Sequence, residues 1–370
     1  MVKNDRIYLD YNATAPIHPD VIDGMSKIMH HVGNPSSIHQ EGRESRKIIE
    51  QARQNVSDLV GCHPKQVIFT SGATESNNML LKGYAPHRRL LVSATDHPSV
   101  IYGGVDVELI PVHTNGLTDL GALEDLLRKG KAPSFVSIIM VNNETGVIQP
   151  IKEISILVKQ YDGLFHTDAV QAAGRIPLHF PSMGVDFLSL SAHKMGGPQG
   201  MGALIMQNGT NPPKLIHGGG QERRQRAGTE NVAGIHGFGI VAEIALDNLD
   251  NFPKLEAYRT QIETALKTSH PKVIINGEDA PRVANTTSLT IEGFDSSTLL
   301  MSLDLEGISV SAGSACSSGS MQASHVLKAM GATDSQAKSG LRISSGWATT
   351  QGDIDAFIKS WTKIIQRLAN

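Results

Sequence analysis

Between positions 164 and 206 the chain reads LFHTDAVQAAGRIPLHFPSMGVDFLSLSAHKMGGPQGMGALIM. Three short runs rich in apolar and β-branched residues, at 164–167, 185–189 and 202–206, alternate with polar, glycine-containing segments. Continuous apolar runs of this length, without clean alternation, suit strands covered on both faces. The rhythm extends in both directions. Strands are predicted at 66–70, 90–93, 107–110 and 135–141, a helix starts over 75–81, and helices span 117–127 and 151–161. Strands alternating with helices predict an α/β fold with a mainly parallel sheet.

After about residue 222 the pattern changes. Helices are expected at 231–248, 255–268 and 353–368, with a strand at 285–291. The organisation read from this is a large domain, 15–250, and a smaller α/β domain built from 1–14 and 251–370.

Composition narrows the function. The 370 residues include 33 basic and 36 acidic side chains, a net charge of −3, with 40% hydrophobic and 19% charged residues. That is globular composition without the basic face that nucleic acid requires. Two cysteines cannot build a disulfide framework and point to a reducing compartment. The strongest apolar run, 135–141, is too short for a bilayer, and residues 1–10 carry charges without an apolar stretch. A soluble cytoplasmic protein is expected.

In an open parallel sheet, ligands sit beyond the carboxyl ends of the strands. Ser71-Gly72-Ala73-Thr74 follows one predicted strand and opens a helix, where backbone N–H groups and the macrodipole favour an anion; an ordinary helix cap is the alternative. Asn142-Asn143-Glu144 follows a second strand. Asp168, with Gln171 three residues on, follows a third. It suits either a protonated ring nitrogen or a helix cap. Lys194, in Ser191-Ala192-His193-Lys194, follows a fourth among small residues. A desolvated lysine there would lose its proton readily and form a Schiff base, whereas a loop lysine would not. Phosphate cradle, pyridinium partner and amine are together the parts that pyridoxal phosphate needs.

Other residues carry two readings. His97, in Asp96-His97-Pro98, also falls at the ligand edge, where an imidazole could stack or move a proton. Arg342, inside the apolar run Leu341-Arg342-Ile343, would grip a carboxylate or form a structural ion pair. Cys316 lies among small and polar neighbours, Ser311 to Ser320, and reads as an exposed, reactive thiol on a mobile loop. Cys62, at a helix end, reads as structural. Arg223-Arg224-Gln225-Arg226 reads as an anion-site flank or interface. No GxxxxGK[ST] loop is present, and Gly237-x-Gly239 lies within a helical stretch, so neither nucleotide fingerprint applies.

These segments resemble the cysteine desulfurases of the NifS/IscS type, fold-type I pyridoxal-phosphate enzymes of the class-V aminotransferase family. The resemblance runs from Leu9-Asp10-Tyr11-Asn12-Ala13-Thr14 to Arg342, through Gly33-Asn34-Pro35-Ser36-Ser37, Thr70 to Asn77, Asn142 to Gly146, Ser191 to Lys194, Arg226 to Asn231 and the Cys316 loop. That loop is similar to the long-loop NifS/IscS group and unlike the SufS group. The resemblance implies a large domain with a seven-stranded, mainly parallel sheet and a smaller C-terminal domain carrying the cysteine loop. It implies Lys194 as the Schiff-base lysine, Asp168 on the ring nitrogen, Gln171 on the ring oxygen, His97 stacked on the ring and Asn143 beside cofactor and substrate. Ala73, Thr74, Ser191 and His193 would belong to the phosphate end. Thr229 would reach the phosphate of the other subunit of a homodimer with shared sites. Arg342, with Asn34 as helper, would bind the carboxylate of L-cysteine, and Cys316 would carry the persulfide. No intrinsic metal is expected, although Cys316 could contact a cluster within a scaffold complex. The acceptor would be an iron–sulfur scaffold or a thiolation pathway. Only 28 residues follow Arg342, fewer than in members dedicated to the general scaffold, so the acceptor stays open. A selenocysteine lyase, another fold-type I enzyme such as an aminotransferase, and a non-catalytic sulfur-transfer partner are the rival readings.

Overall fold

The computed structural model describes residues 6–130, 132–312 and 323–368. Its strands are β1 (Ile7–Tyr8), β2 (Val67–Thr70), β3 (Arg89–Ser93), β4 (Glu108–Ile110), β5 (Ser134–Ile139), β6 (Leu164–Asp168), β7 (Phe187–Ser191), β8 (Gly202–Met206), β9 (Val273–Ile275), β10 (Thr286–Ile291), β11 (Ile308–Ser309), β12 (Ser311–Ala312) and β13 (Leu341–Ser344). A seven-stranded sheet runs in the order β2-β8-β7-β6-β5-β3-β4. Neighbours from β7 to β4 pair in parallel, while β8 is antiparallel to both β2 and β7. Strand β2 therefore points the same way as β7. Every strand except β8 delivers its carboxyl end to one edge.

Burial on both faces explains the continuous apolar runs. Val136, Ile138, Leu188, Leu190, Ala203 and Ile205 enter one apolar cluster, while Phe135, Phe187, Leu204 and Ile68 enter another on the opposite face. Helices Pro19–Met29, Gln40–Leu59 and Val232–Asp247 supply Val21, Ile49, Ala52, Val56, Phe238 and Val241 to the first. Helix Ala73–Tyr84 supplies Met79, Leu80 and Leu81 to the second. Gly239, set aside above as a nucleotide signal, is a packing device: a Cβ there would lie 2.6 Å from the Ala52 Cβ. The helices can approach this closely only without it.

A separate apolar cluster holds Leu9 together with residues between Ile262 and Ile365, centred on Trp361 and Phe357. It packs on a four-stranded antiparallel sheet, β12-β13-β10-β9, and β1 pairs in parallel with β11. The first residues of the chain thus join the last third.

The sequence reading ran several strands one or two residues away from their positions, and it did not find the helices Pro19–Met29 and Gln40–Leu59. The second is mostly polar and charged. Its apolar positions Ile49, Ala52, Val56 and Leu59 repeat at three and four, the helical stripe, but a buried arginine interrupts them. Arg53 is 3% exposed and makes a two-point ion pair with Glu222, Nη1 to Oε2 and Nη2 to Oε1 both at 2.8 Å. Glu222 also accepts from the Phe69 backbone N–H at 2.9 Å. Three successive residues, Glu222, Arg223 and Arg224, have φ of 43°, 55° and 67°, a conformation non-glycine residues rarely adopt. The ion pair holds that turn against β2. Removing one partner of such a pair strands the other charge in the interior. Glu222→Ala should lower stability by about 3–5 kcal/mol in urea unfolding; a loss under about 1 kcal/mol would show that the pair does not hold the turn.

Candidate active site

A cavity of about 680 Å³ opens at the carboxyl edge of the large sheet. Ala73, Thr74, His97, Asn143, Asp168, Gln171, Ser191, His193, Lys194 and Arg342 all line it. Asn34 and Thr229 do not. Both are exposed, and the Asn34 side chain accepts from the Ser36 N–H at 2.9 Å. Cys316 lies outside the described residues. Ser311 and Ala312 do line the cavity.

The anion end is built by close backbone approach. A Cβ on Gly202 would sit 2.6 Å from the Gly72 Cα and 2.6 Å from the Leu190 carbonyl. Without it, β8 brings the Ser71–Thr74 turn against the end of β7. Gly72 stands at the N-cap of the twelve-residue helix Ala73–Tyr84; among the described residues no side chain hydrogen-bonds to that N-terminus, and no atom lies within 4 Å of where the Gly72 Cβ would be. Glu75 in the first turn is held by Arg226, Nε to Oε1 at 2.9 Å, and accepts from the Ser71 N–H at 2.8 Å. The basic segment is thus anchored to the helix start, with one arginine neutralised.

Lys194 occupies a single helical turn, Ala192–Lys194, after β7. Its Nζ donates to the Asn12 and Ala13 carbonyls at 2.7 and 2.6 Å. Burial, then the nearby guanidinium groups of Arg342 and Arg175, bring its pKa down to about 7. Near neutral pH a large fraction of this amine is unprotonated. His193 donates to or accepts from Thr14 Oγ1 at 3.1 Å, and burial with the Lys194 charge lowers its pKa to about 4, so its ring is neutral.

Asp168 is 3% exposed. Its Oδ1 accepts from the Val170 N–H at 3.0 Å, a local turn, and its Oδ2 accepts from Asn77 Nδ2 at 2.9 Å. Asn77 Nδ2 also donates to Ser99 Oγ at 3.0 Å, and Ser99 Oγ lies 2.8 Å from His97 Nδ1. The Ser99 backbone N–H donates to the same His97 nitrogen at 3.1 Å. Nδ1 is therefore an acceptor, and in the neutral ring the proton sits on Nε2. Burial lowers the His97 pKa and favours that neutral form.

Arg342 realises its structural alternative. Nη2 pairs with Asp10 Oδ1 at 2.7 Å and Nη1 donates to the Asn143 carbonyl at 3.0 Å, while the guanidinium still lines the cavity and its buried Nε has no partner among the described residues. Gln171 donates from Nε2 to the Asn12 carbonyl at 3.0 Å and keeps a buried Oε1 without a partner among the described residues. Cys62 packs against the large core, and burial pushes its thiol up to about 12, a poor nucleophile.

The sequence reading missed several contributors. Asn12 and Asn77 were only letters within motifs, although Asn77 stands one turn beyond Ala73, a spacing that shares a helix face. Glu144 was another. It is fully buried, burial pushes it up to about 7, and its Oε2 accepts from Ser324 Oγ at 2.5 Å. Ser324 caps the helix His325–Ala329, and His325 Nε2 meets the Asp96 carbonyl at 2.9 Å. The chain is fastened beside His97 and Asn143 from position 324 onward.

The donor set fits pyridoxal phosphate. An uncapped helix N-terminus suits a phosphate, a buried carboxylate suits a ring nitrogen, and a lysine with lowered proton affinity suits an aldehyde. Among the described residues no group of three or more His, Cys, Asp or Glu side chains is placed to hold a metal ion. Amine attack on the aldehyde requires the neutral lysine. The rate at which apoprotein takes up pyridoxal 5′-phosphate should rise with pH through about 7 and level off about a unit higher, followed by stopped-flow absorbance. A rate still climbing toward the ordinary lysine range would disprove the lowered proton affinity.

Comparison with known proteins agrees with this chemistry. The class-V aminotransferase family model matches residues 7–357. The cysteine desulfurase IscS of Dictyoglomus turgidum is 40% identical, over 98% of this chain and 95% of its own. An IscS-like cysteine desulfurase of Mycobacterium tuberculosis is 38% identical, over 95% of this chain and 94% of its own. The crystal structure of a NifS-like protein from Rickettsia africae superposes with a TM-score of 0.92 at 38% identity, covering 98% of this chain and 99% of that one. With the matching fold and a cavity fitted to their cofactor, the chain belongs to the class-V aminotransferases, among the cysteine desulfurases of the NifS/IscS type.

Proposed function

We propose that this chain is a pyridoxal-phosphate-dependent cysteine desulfurase that works as a homodimer in the cytoplasm, converts L-cysteine to L-alanine, and hands sulfur from Cys316 to an iron–sulfur scaffold or a thiolation pathway. The observation that carries the reading is Lys194: a largely enclosed amine whose pKa is brought down to about 7, facing Asp168 and the N-terminus of the helix Ala73–Tyr84 across one cavity. The cofactor, when bound, supplies an electron sink for bonds broken at the substrate's Cα and Cβ.

The chain's own residues divide the remaining work. Ala73, Thr74, Ser191 and His193 hold the phosphate end, Asp168 and Gln171 orient the ring, and Asn143 lies beside it. Lys194 anchors the cofactor and, once released, moves the Cα proton. His97 presents Nε2–H toward the cavity and exchanges a proton with the substrate thiol. Arg342, with one edge committed to Asp10, receives the substrate carboxylate; Asn34, outside this chain's own cavity, keeps only the helper role that the resemblance implies. The Cys316 thiolate attacks the substrate sulfur: an S–S bond forms, the Cβ–S bond breaks, and Cβ gains a proton to give alanine. Cys316 stands four residues beyond Ala312, a cavity-lining residue, and four residues span at most ~14 Å of chain. Covalent reach supports its role. Thr229, exposed and outside its own cavity, is assigned to the partner's phosphate end. The large domain at 15–250 and the small one at 1–14 and 251–370 are part of this reading; the separate apolar clusters support the division. Among the described residues no single helix is long and apolar enough to cross a membrane.

Cys316→Ser should bind cofactor normally yet release no alanine from L-cysteine and carry no persulfide by mass spectrometry. Persulfide on Cys62 of that variant would overturn the choice of thiol. Lys194→Ala should lose alanine production altogether. Glu144→Ala, which frees Ser324, should slow persulfide formation about tenfold, as expected for a misplaced reacting group, while cofactor uptake keeps its rate. Uptake that falls in parallel would assign Glu144 to the cofactor site instead.

A further inference from the structure

A second cavity, of about 440 Å³, lies behind Lys194, between the end of the large sheet and the small antiparallel one. Its walls come from the segment after β1, the turn after β6, residues 244–258 and the segment after β13. Tyr11, Met195, Ile244, Phe252, Tyr258 and Trp347 give it an apolar body. The charged lining is one-sided: Arg175, Lys194, Lys254 and His18 are present, and among the described residues no Asp or Glu lines it. Asp20, 3.5 Å from His18, is largely exposed and outside the lining.

Arg175 decides what such a cavity takes. It is 6% exposed, and among the described residues it has no carboxylate partner. A guanidinium carries five N–H donors. Here the one side-chain hydrogen bond runs from Nη1 to Asn12 Oδ1 at 2.7 Å, and the group lines the cavity. The other buried arginines among the described residues, Arg53 and Arg342, meet carboxylates at 2.8 and 2.7 Å. A buried cation with spare donors and no counterion is costly unless an anion completes it. Lys194 is already committed to two backbone carbonyls and Lys254 to Asn251, which leaves Arg175 as the anchor.

We propose that this cavity is a binding site, distinct from the catalytic one, for a small monocarboxylate with an aromatic or branched apolar body, its carboxylate on Arg175 and its body against Phe252, Tyr258 and Trp347. Of the two tryptophans in the chain, Trp361 is fully buried in the small core, whereas Trp347 is 49% exposed at the cavity and packs at a 48° tilt against His18, ring centroids 4.9 Å apart. A ligand here changes the surroundings of Trp347 alone.

The test uses phenylacetate against the cofactor-loaded enzyme, followed by calorimetry and tryptophan emission, with phenylacetamide as its neutral match. Expected are saturable phenylacetate binding with a Kd below about 10 mM, a change in emission, and at least tenfold weaker binding of the amide. Arg175→Met should reduce phenylacetate to the amide's affinity, and Arg175→Lys should restore most of it. Ala245→Leu, which fills part of the cavity and removes no charge, should weaken both probes. Equal affinity for acid and amide would overturn the proposal. So would phenylacetate binding that survives Ala245→Leu, or that L-alanine displaces, since the latter would place the probe in the catalytic cavity.

Discussion

Asn12 is 1% exposed, and every polar atom it has is committed to a different part of the chain. Its carbonyl accepts from Lys194 Nζ at 2.7 Å and Gln171 Nε2 at 3.0 Å. Its Oδ1 accepts from Arg175 at 2.7 Å and Asn285 at 3.3 Å. Nδ2 donates to the Asn143 carbonyl and Thr286 Oγ1, and the backbone N–H to Ser344 Oγ. The segment after β1 is therefore the joint where the turns after β5, β6 and β7 meet β10 and β13. Each bond contributes only about 1 kcal/mol net, but a buried group left unpaired costs more than the bond it lost. A change at Asn12 would disturb the amine, the ring-oxygen amide and the buried guanidinium together.

That joint works because the strand polarity is nearly uniform. Six strands end at one edge, so residues from turns far apart in sequence converge there without long loops. The one reversed strand has its own use. Strand β8 starts at that edge, and its first residue is the glycine that admits the Gly72 backbone. A parallel strand in its place would have ended there, and the cradle would have lost its close wall.

What was legible in the sequence follows from how local its causes are. The strands of the large sheet were visible because burial on both faces writes an apolar run into each, and the turns after them were visible because small and polar residues stand out beside such runs. The direction of β8 was not visible, since Gly202–Met206 reads the same either way. Asn12 gave no sign, because its partners lie 131 to 332 positions away in sequence. Arg342 stayed ambiguous for a physical reason: it both pairs with Asp10 and faces the cavity, and residue type alone cannot divide a guanidinium's two edges. Asn34 and Thr229 came from resemblance, and a single chain does not bring either to its own cavity.

The electrostatics at Lys194 show why those distant partners matter. Two backbone carbonyls close to Nζ would by themselves favour the ammonium form, as would Asp10 and Asp168. The opposite outcome, a pKa near 7 in place of 10.5, means that the protonated form is held about 5 kcal/mol above its position in water. Burial is the largest cause, and two guanidinium groups add to it. Asp10 is tied to Arg342, so its charge is largely spent there, and Asp168 is engaged by Asn77 and the Val170 N–H. Among the described residues Arg175 has no carboxylate to soften it. Arg342 shares its charge with Asp10 in the same measure, so the unopposed cation acting on the lysine is Arg175, while the carboxylates that would favour the ammonium form are occupied. An anion lodged against Arg175 would remove part of that pressure and return proton affinity to Lys194, so the cavity behind the lysine and the cavity in front of it are electrostatically one system.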